Sequence, residues 1–215
     1  MTTSIDINNM RIEELDSLVV NSISNDKPKT TLQELLNAGL SPNYRFSLIP
    51  NLYESAPTKS ILQYAVNHAT PDVLSVLLSA PDLDLYPTSS TPHEAGCFMY
   101  RYAPLENIKL FIKHKDFCIN KSHSGCTLIA YYTRGDKLDF LQALLETHPN
   151  LKKYEEDQIN TLIYFILRQG FSFLDDVKKD EPNFLSVDNH HDAIILTRYL
   201  KKNSAKFIKS LHVYK

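Results

Sequence analysis

Glycine is scarce in this 215-residue chain: Gly39, Gly96, Gly125, Gly135 and Gly170 are the only ones, and none stand close together. Loops that cradle phosphate or dinucleotide need clustered glycines, so the usual nucleotide-binding forms are excluded and no cofactor is expected. Cysteine is as sparse. Cys97, Cys118 and Cys126 make an odd number without a disulfide-rich spacing, which points to folding in a reducing compartment. No stretch approaches the roughly 18 consecutive apolar residues of a membrane-spanning helix. The opening MTTSIDINNMRIEELD also lacks the basic and apolar regions of a secretory signal. A cytoplasmic protein is expected, in its own cell or, if delivered by an uncleaved signal, in a host cell. A net charge of −2 argues against a polyanion field over the whole molecule, so nucleic acid is not an expected partner.

What is present is ordinary for a globular protein: 43% hydrophobic and 22% charged residues, too apolar for disorder. Charge is unevenly placed. Asp6, Glu13, Glu14, Asp16 and Asp26 face Arg11 alone near the N-terminus, whereas Arg198, Lys201, Lys202, Lys206, Lys209 and Lys215 end the chain without an acid. The apolar residues recur at helical spacing. Ile12, Leu15, Leu18, Val19 and Ile23 form one stripe, and Leu32, Leu35 and Leu36 form a shorter one after Thr30 or Thr31, closed by Gly39.

The segment Lys59 to Leu85 holds two helix signals back to back, Ile61, Leu62, Ala65 and Val66 before Thr70-Pro71, then Val73, Leu74, Val76, Leu77 and Leu78. The same grammar returns at Gly125 to Leu151, with Leu128, Ile129 and Tyr132 before Gly135-Asp136 and Phe140, Leu141, Leu144 and Leu145 after. Ser60 and Thr127 stand about two periods of 33 residues apart. Thr127-Leu128-Ile129, Gly135-Asp136 and Leu144-Leu145 resemble the opening, the turn and the closing Leu-Leu pair of an ankyrin unit. Ser60-Ile61-Leu62-Gln63-Tyr64-Ala65 with Leu77-Leu78 resembles it as well, and Phe111-Ile112 falls in phase between them. Leu40-Ser41-Pro42-Asn43 is similar to the loop that follows such a pair, often closed by Asn.

That resemblance implies an all-α fold: an ankyrin-like solenoid of helical pairs with an irregular C-terminal helical cap. Its expected divisions are an N-terminal capping helix over 1–29, divergent repeats over 30–170 and a helical cap over 171–215. At Asp175 to Asp180 a Leu-Leu pair is due and the chain reads DDVKKD, which suggests a terminal unit that has lost its second-helix stripe. Ile194, Ile195, Leu196, Leu200, Phe207, Ile208 and Leu211 supply apolar cover beyond it, in two helices parted at Asn203-Ser204.

Chemistry is sought first in three His–Cys neighbours: His93 with Cys97, His114 with Cys118, and His123 with Cys126. Zinc selects thiolate and imidazole, but these spacings do not form paired ligand sets, and lone cysteines commonly serve as small buried apolar residues, so no metal is expected. Cys126 with His123 is the best candidate for a thiol nucleophile, and His190-His191-Asp192 for acid–base work. Asp192 is equally explained as a first-turn carboxylate favoured by a helix dipole. The basic C-terminal residues interleave with Tyr199, Phe207 and Tyr214, a pattern read as a cap helix with wet lysines and inward aromatics.

A repeat scaffold of this kind implies a non-catalytic protein–protein interaction module that binds one dedicated protein partner through its concave face and loops. The alternative is a small effector-type enzyme with a Cys–His or His–Asp site on the same scaffold. The spacing between the first and second units exceeds one period, placing an insertion at Tyr44 to Pro57 that is crowded with aromatics. Insertions in solenoids map to loops, often on the binding face. The expected partner contacts are Tyr44, Phe46, Tyr53, Tyr86, His93, Lys121 and His123.

Overall fold

The computed structural model describes residues 5–25, 30–47, 60–86, 103–121, 127–134, 137–169, 173–183 and 190–211. Among the described residues all regular structure is helical, apart from one isolated antiparallel bridge between Arg45 and Ser60. The chain divides into two compact units, one holding residues up to Phe117, the other built from Cys118–Ser122 and Cys126–Lys215.

In the first unit, α1 (Ile12–Ser24) is followed by α2 (Leu32–Asn37), α3 (Ile61–His68), α4 (Pro71–Leu78) and α5 (Leu105–Ile112). Side chains start most of them. Thr31 accepts from the Glu34 N–H and Ser60 from the Gln63 N–H, while Glu34 and Gln63 reach back to the capping N–H, so two unpaired donors are satisfied at each end. Thr70 caps α4 ahead of Pro71, whose missing N–H is harmless there. Helix α2 ends at Gly39, whose φ of 99° is open to glycine and strained for other residues. The Leu40 N–H then bonds the Leu35 carbonyl at 3.0 Å and the chain leaves the helix in a Schellman arrangement.

Packing within this unit follows two rows. Helix α1 packs on α2 and α3, α3 on α4 and α5, α2 on α4, and α4 on α5. Val19, Ile23, Leu35, Ile61, Leu74, Leu77, Ile108 and Phe111 are buried between them. One stripe is shifted from its expected place: Ile12 is 55% exposed, because it stands at the first position of α1, and the buried face runs through Asp16, Val19, Ser22 and Ile23. Asn107, fully buried on α5, donates to the Val66 and Ala69 carbonyls at 3.1 and 2.8 Å, covering acceptors that the end of α3 leaves open.

The second unit contains α6 (Leu128–Arg134), α7 (Leu138–Thr147), a 3₁₀ turn Leu151–Lys153, α8 (Glu156–Gln169), α9 (Phe173–Asp180), α10 (His190–Lys202) and α11 (Ser204–Ser210). Helix α6 packs on α7 and α8, α10 packs on α8 and the 3₁₀ turn, and α11 packs on α10 and α7. The sequence DDVKKD is part of a helix, contrary to the loss of pattern read there. Phe173 and Val177, one turn apart, are both buried and suffice to seat α9, with the acids and lysines left outward. Phe173 meets the rings of Tyr199 and Phe207 at 5.5 and 5.1 Å. Leu196, Leu200, Phe207, Ile208 and Leu211 are buried, while Ile194 is exposed.

Candidate functional site

The segment after α2 is shaped by its main chain. Tyr44 N–H bonds the Ser41 carbonyl, and the Tyr44 carbonyl accepts from the Ile61 N–H at 2.8 Å beside the Arg45–Ser60 bridge. The inserted stretch is therefore pinned where it leaves α2 and where it enters α3. Residues 48–59, Tyr53 among them, lie outside the described residues.

Tyr44 is half-buried. Its hydroxyl donates to the Asp16 carboxylate at 2.6 Å, and the Ser47 N–H donates to the other oxygen at 3.1 Å. Burial, with the hydrogen bond and charge of Asp16 behind it, pushes the Tyr44 phenol well above its ordinary range, so it stays a donor. Asp16 itself is 3% exposed. A carboxylate that far inside must be matched by donors, and the inserted segment brings them.

Phe46 stands edge-on to Tyr44 with ring centres 5.6 Å apart, and to Tyr64 at 5.5 Å. At 1% exposure it corrects the expectation of a direct contact residue: the ring is core, and it serves any surface only by holding Tyr44. The chain of rings continues to Tyr64, whose hydroxyl shares a 2.8 Å hydrogen bond with Ser24, and on to His68 at 4.5 Å. Aromatic side chains gain from such edge-on contact beyond the area they bury.

One turn earlier, Asn43 clasps the next loop of the same unit. Its Nδ2 donates to the Asp82 carbonyl and its Oδ1 accepts from the Asp84 N–H, both at 2.7 Å. Asp82 has φ 61°, a left-handed conformation that Asp tolerates better than most residues. Asp84 in turn accepts from the Tyr86 N–H at 2.8 Å. Two of the expected contacts, Tyr44 and Tyr86, are thus carried on loops that Asn43 fastens together, and both are half-buried.

A related clasp recurs in the second unit. Asn120 donates to the Lys153 carbonyl at 3.1 Å, and Gln158 on α8 donates to the Ile119 carbonyl at 2.9 Å. Lys121, expected as a contact, is exposed on that loop. His93 and His123 lie outside the described residues, as do Cys97 and Cys126.

The remaining His–Cys neighbours are described. Cys118 is exposed. His114 has both ring nitrogens engaged: Nε2 lies 3.0 Å from the Leu78 carbonyl and Nδ1 lies 3.2 Å from the Asp116 N–H. It fastens the end of α5 to the end of α4. His190, His191 and Asp192 open α10, and their side chains lie outside the described residues. Among the described residues no group of three or more His, Cys, Asp or Glu is placed to hold a metal ion, and no helix is long and apolar enough to cross a membrane.

Sequence reasoning passed over Asp16 and the clasping role of Gln158. The signal for Asp16 was an acid set within an apolar helical stripe, three residues before Val19 and seven before Ile23 on the same buried face. No protein-family model, no curated protein and no solved structure matches the chain.

Proposed function

We propose that this chain is a non-catalytic protein-interaction module made of divergent ankyrin-like helical pairs, binding one dedicated protein partner. The observation that carries the reading is the two-row packing of the first unit. Helices α1 and α3 pack as one row and α2, α4 and α5 as another, with contacts joining α1 to α2, α3 to α4 and α3 to α5 across the rows. Rows of this kind set their connecting loops side by side along one edge. Asn43 then fixes two of those loops to each other.

A surface held in this way needs little ordering when a partner arrives, which is where rigid scaffolds gain affinity over flexible loops. Tyr44 and Tyr86 are the contacts best supported by position, each half-buried and held by its own loop. Tyr53, His93, Lys121 and His123 complete the proposed set, with Phe46 as the support under Tyr44. The proposed place of action is a cytosol, either that of the producing cell or that of a host cell.

The test is proximity labelling by the full chain in its natural cells, repeated with Tyr44→Phe, Tyr53→Ala and Tyr86→Ala combined. These changes keep Phe46, and because Tyr44→Phe removes the bond to Asp16, affinities are compared at a temperature where melting shows the triple variant folded. A protein labelled by the parent and bound directly by it in purified form should lose at least tenfold in affinity for the triple variant, about 1.4 kcal/mol. Unchanged affinity would remove the loops from the binding face, and the absence of any directly bound protein would remove the reading itself.

A further inference from the structure

Within the second unit, four cations from two elements line one concavity. Lys152 comes from the 3₁₀ turn and Arg198, Lys201 and Lys202 from the last turns of α10, around a volume of about 500 Å³. The α10 residues stand at i, i+3 and i+4, which places them on one helical face, while Leu196, Tyr199 and Leu200 are buried on the other. The 3₁₀ turn packs on α10 and so carries Lys152 to the same place.

Among the described residues no acid lines this concavity and none of the four joins an ion pair. That sets them apart from Lys206, which lies 3.3 Å from Asp176 and 3.5 Å from Asp180, and from Arg11 and Lys109, each paired with a glutamate. Like charges one helical turn apart destabilise a helix. The dipole at the end of α10 favours Lys201 and Lys202, but it gives no reason for Lys152 to arrive from another element.

We propose that this concavity binds a compact ligand carrying two or more phosphates. Four cations exceed what a single phosphate engages. Lysine supplies mobile point charges and Arg198 a planar fork suited to paired phosphate oxygens. The volume falls within the roughly 300–1,000 Å³ of small-molecule sites. A long polyanion fits less well, because past Lys152 and Lys153 the entry to α8 presents Glu155, Glu156 and Asp157, all exposed. The phosphates belong either to a free polyphosphorylated metabolite or to a phosphorylated lipid headgroup. This site is separate from the proposed partner-binding loops and stands or falls without them.

The test is calorimetric titration of the full chain with inorganic tripolyphosphate at about 0.15 M salt. Orthophosphate and a single-stranded oligonucleotide serve as comparisons. Tripolyphosphate should bind at least about tenfold more tightly than either, and the combined K152Q, R198Q, K201Q, K202Q variant should lose at least about thirtyfold. K178Q with K179Q on α9, outside the concavity, should retain binding. Melting of the ligand-free fourfold variant should be unchanged or raised, since like-charge repulsion is relieved; if that variant does not fold, K152Q and K202Q singly should each lose at least about threefold. Sedimentation with vesicles bearing a polyphosphorylated inositol lipid then distinguishes the sources: capture that excess tripolyphosphate reverses assigns the headgroup, and no capture assigns the free metabolite. Absent tripolyphosphate binding, binding undiminished in the variants, or preference for the oligonucleotide would each overturn the proposal.

Discussion

The hydroxyl of Tyr44 donates a 2.6 Å hydrogen bond to the carboxylate of Asp16, a residue 28 positions earlier and 3% exposed. A bond to a buried charge contributes about 1.5–3 kcal/mol, against about 1 for a neutral one. Tyr44→Phe should therefore lower the unfolding free energy by about 1.5–3 kcal/mol in urea. Tyr44→Phe and Asp16→Asn together should recover part of that loss, because a buried carboxylate that has lost one of its donors is gone. A fully additive double variant would show that the two do not act as a pair.

The Asn43 clasp makes a second test. Asn43→Ala removes both 2.7 Å bonds and should cost about 1–2 kcal/mol, while leaving no cavity in the core. Asn43→Asp keeps the acceptor for the Asp84 N–H and sets a carboxylate against the Asp82 carbonyl, so it should be at least as harmful at neutral pH. Faster amide exchange at Asp84 in both variants would locate the effect in that loop.

Acid should weaken the fold through identifiable carboxylates. The Thr31 N–H and hydroxyl donate to Glu34 at 2.8 and 3.0 Å, backbone first, and hold its carboxyl below the ordinary 4.5. The Tyr199 hydroxyl, aided by Lys206, holds Asp180 below the ordinary 3.8. A carboxyl depressed in the folded state contributes stability that is present above its ordinary value and is lost as pH falls through the depressed one. Melting temperature should fall as pH drops from about 5 to about 3 and fall less steeply in Glu34→Gln and Asp180→Asn. Both groups are exposed, so the difference should shrink at high salt.

The C-terminal helices are expected to be structural. Deleting residues 192–215 exposes the faces of α7 and α8 that α11 and α10 cover, and should leave the protein insoluble or melting several degrees lower. Phe207→Ala, at 0% exposure against Phe173, should cost about 3–5 kcal/mol. Lys209→Gln on the exposed side of the same helix should stay within about 0.5 kcal/mol.

Local signals were legible where a side chain acts within its own turn. Thr31, Ser60, Thr70-Pro71 and Gly39 mark helix ends through bonds that span three to five residues, and spacing alone reveals them. Asn203 marks the break between α10 and α11 within the same range, its Nδ2 donating to the Tyr199 carbonyl four residues back. What spacing could not supply was the distant partner. Phe46 reads as a loop aromatic until Tyr64 closes over it, and Asp16 reads as a surface acid until Tyr44 arrives from beyond α2. Helix α9 was missed because two apolar residues one turn apart are too weak a stripe to stand out from the DDVKKD around Val177. The basic concavity was hidden because Lys152 and Arg198 are brought together only by the fold.

Asn43 touches the Asp82 carbonyl and the Asp84 N–H, and neither group depends on which side chains those positions carry. A fastening that reads only main chain tolerates a change of side chain in the loop it fastens wherever the new residue accepts the left-handed φ of Asp82. The loop that carries Tyr86 is therefore held in place from outside its own sequence.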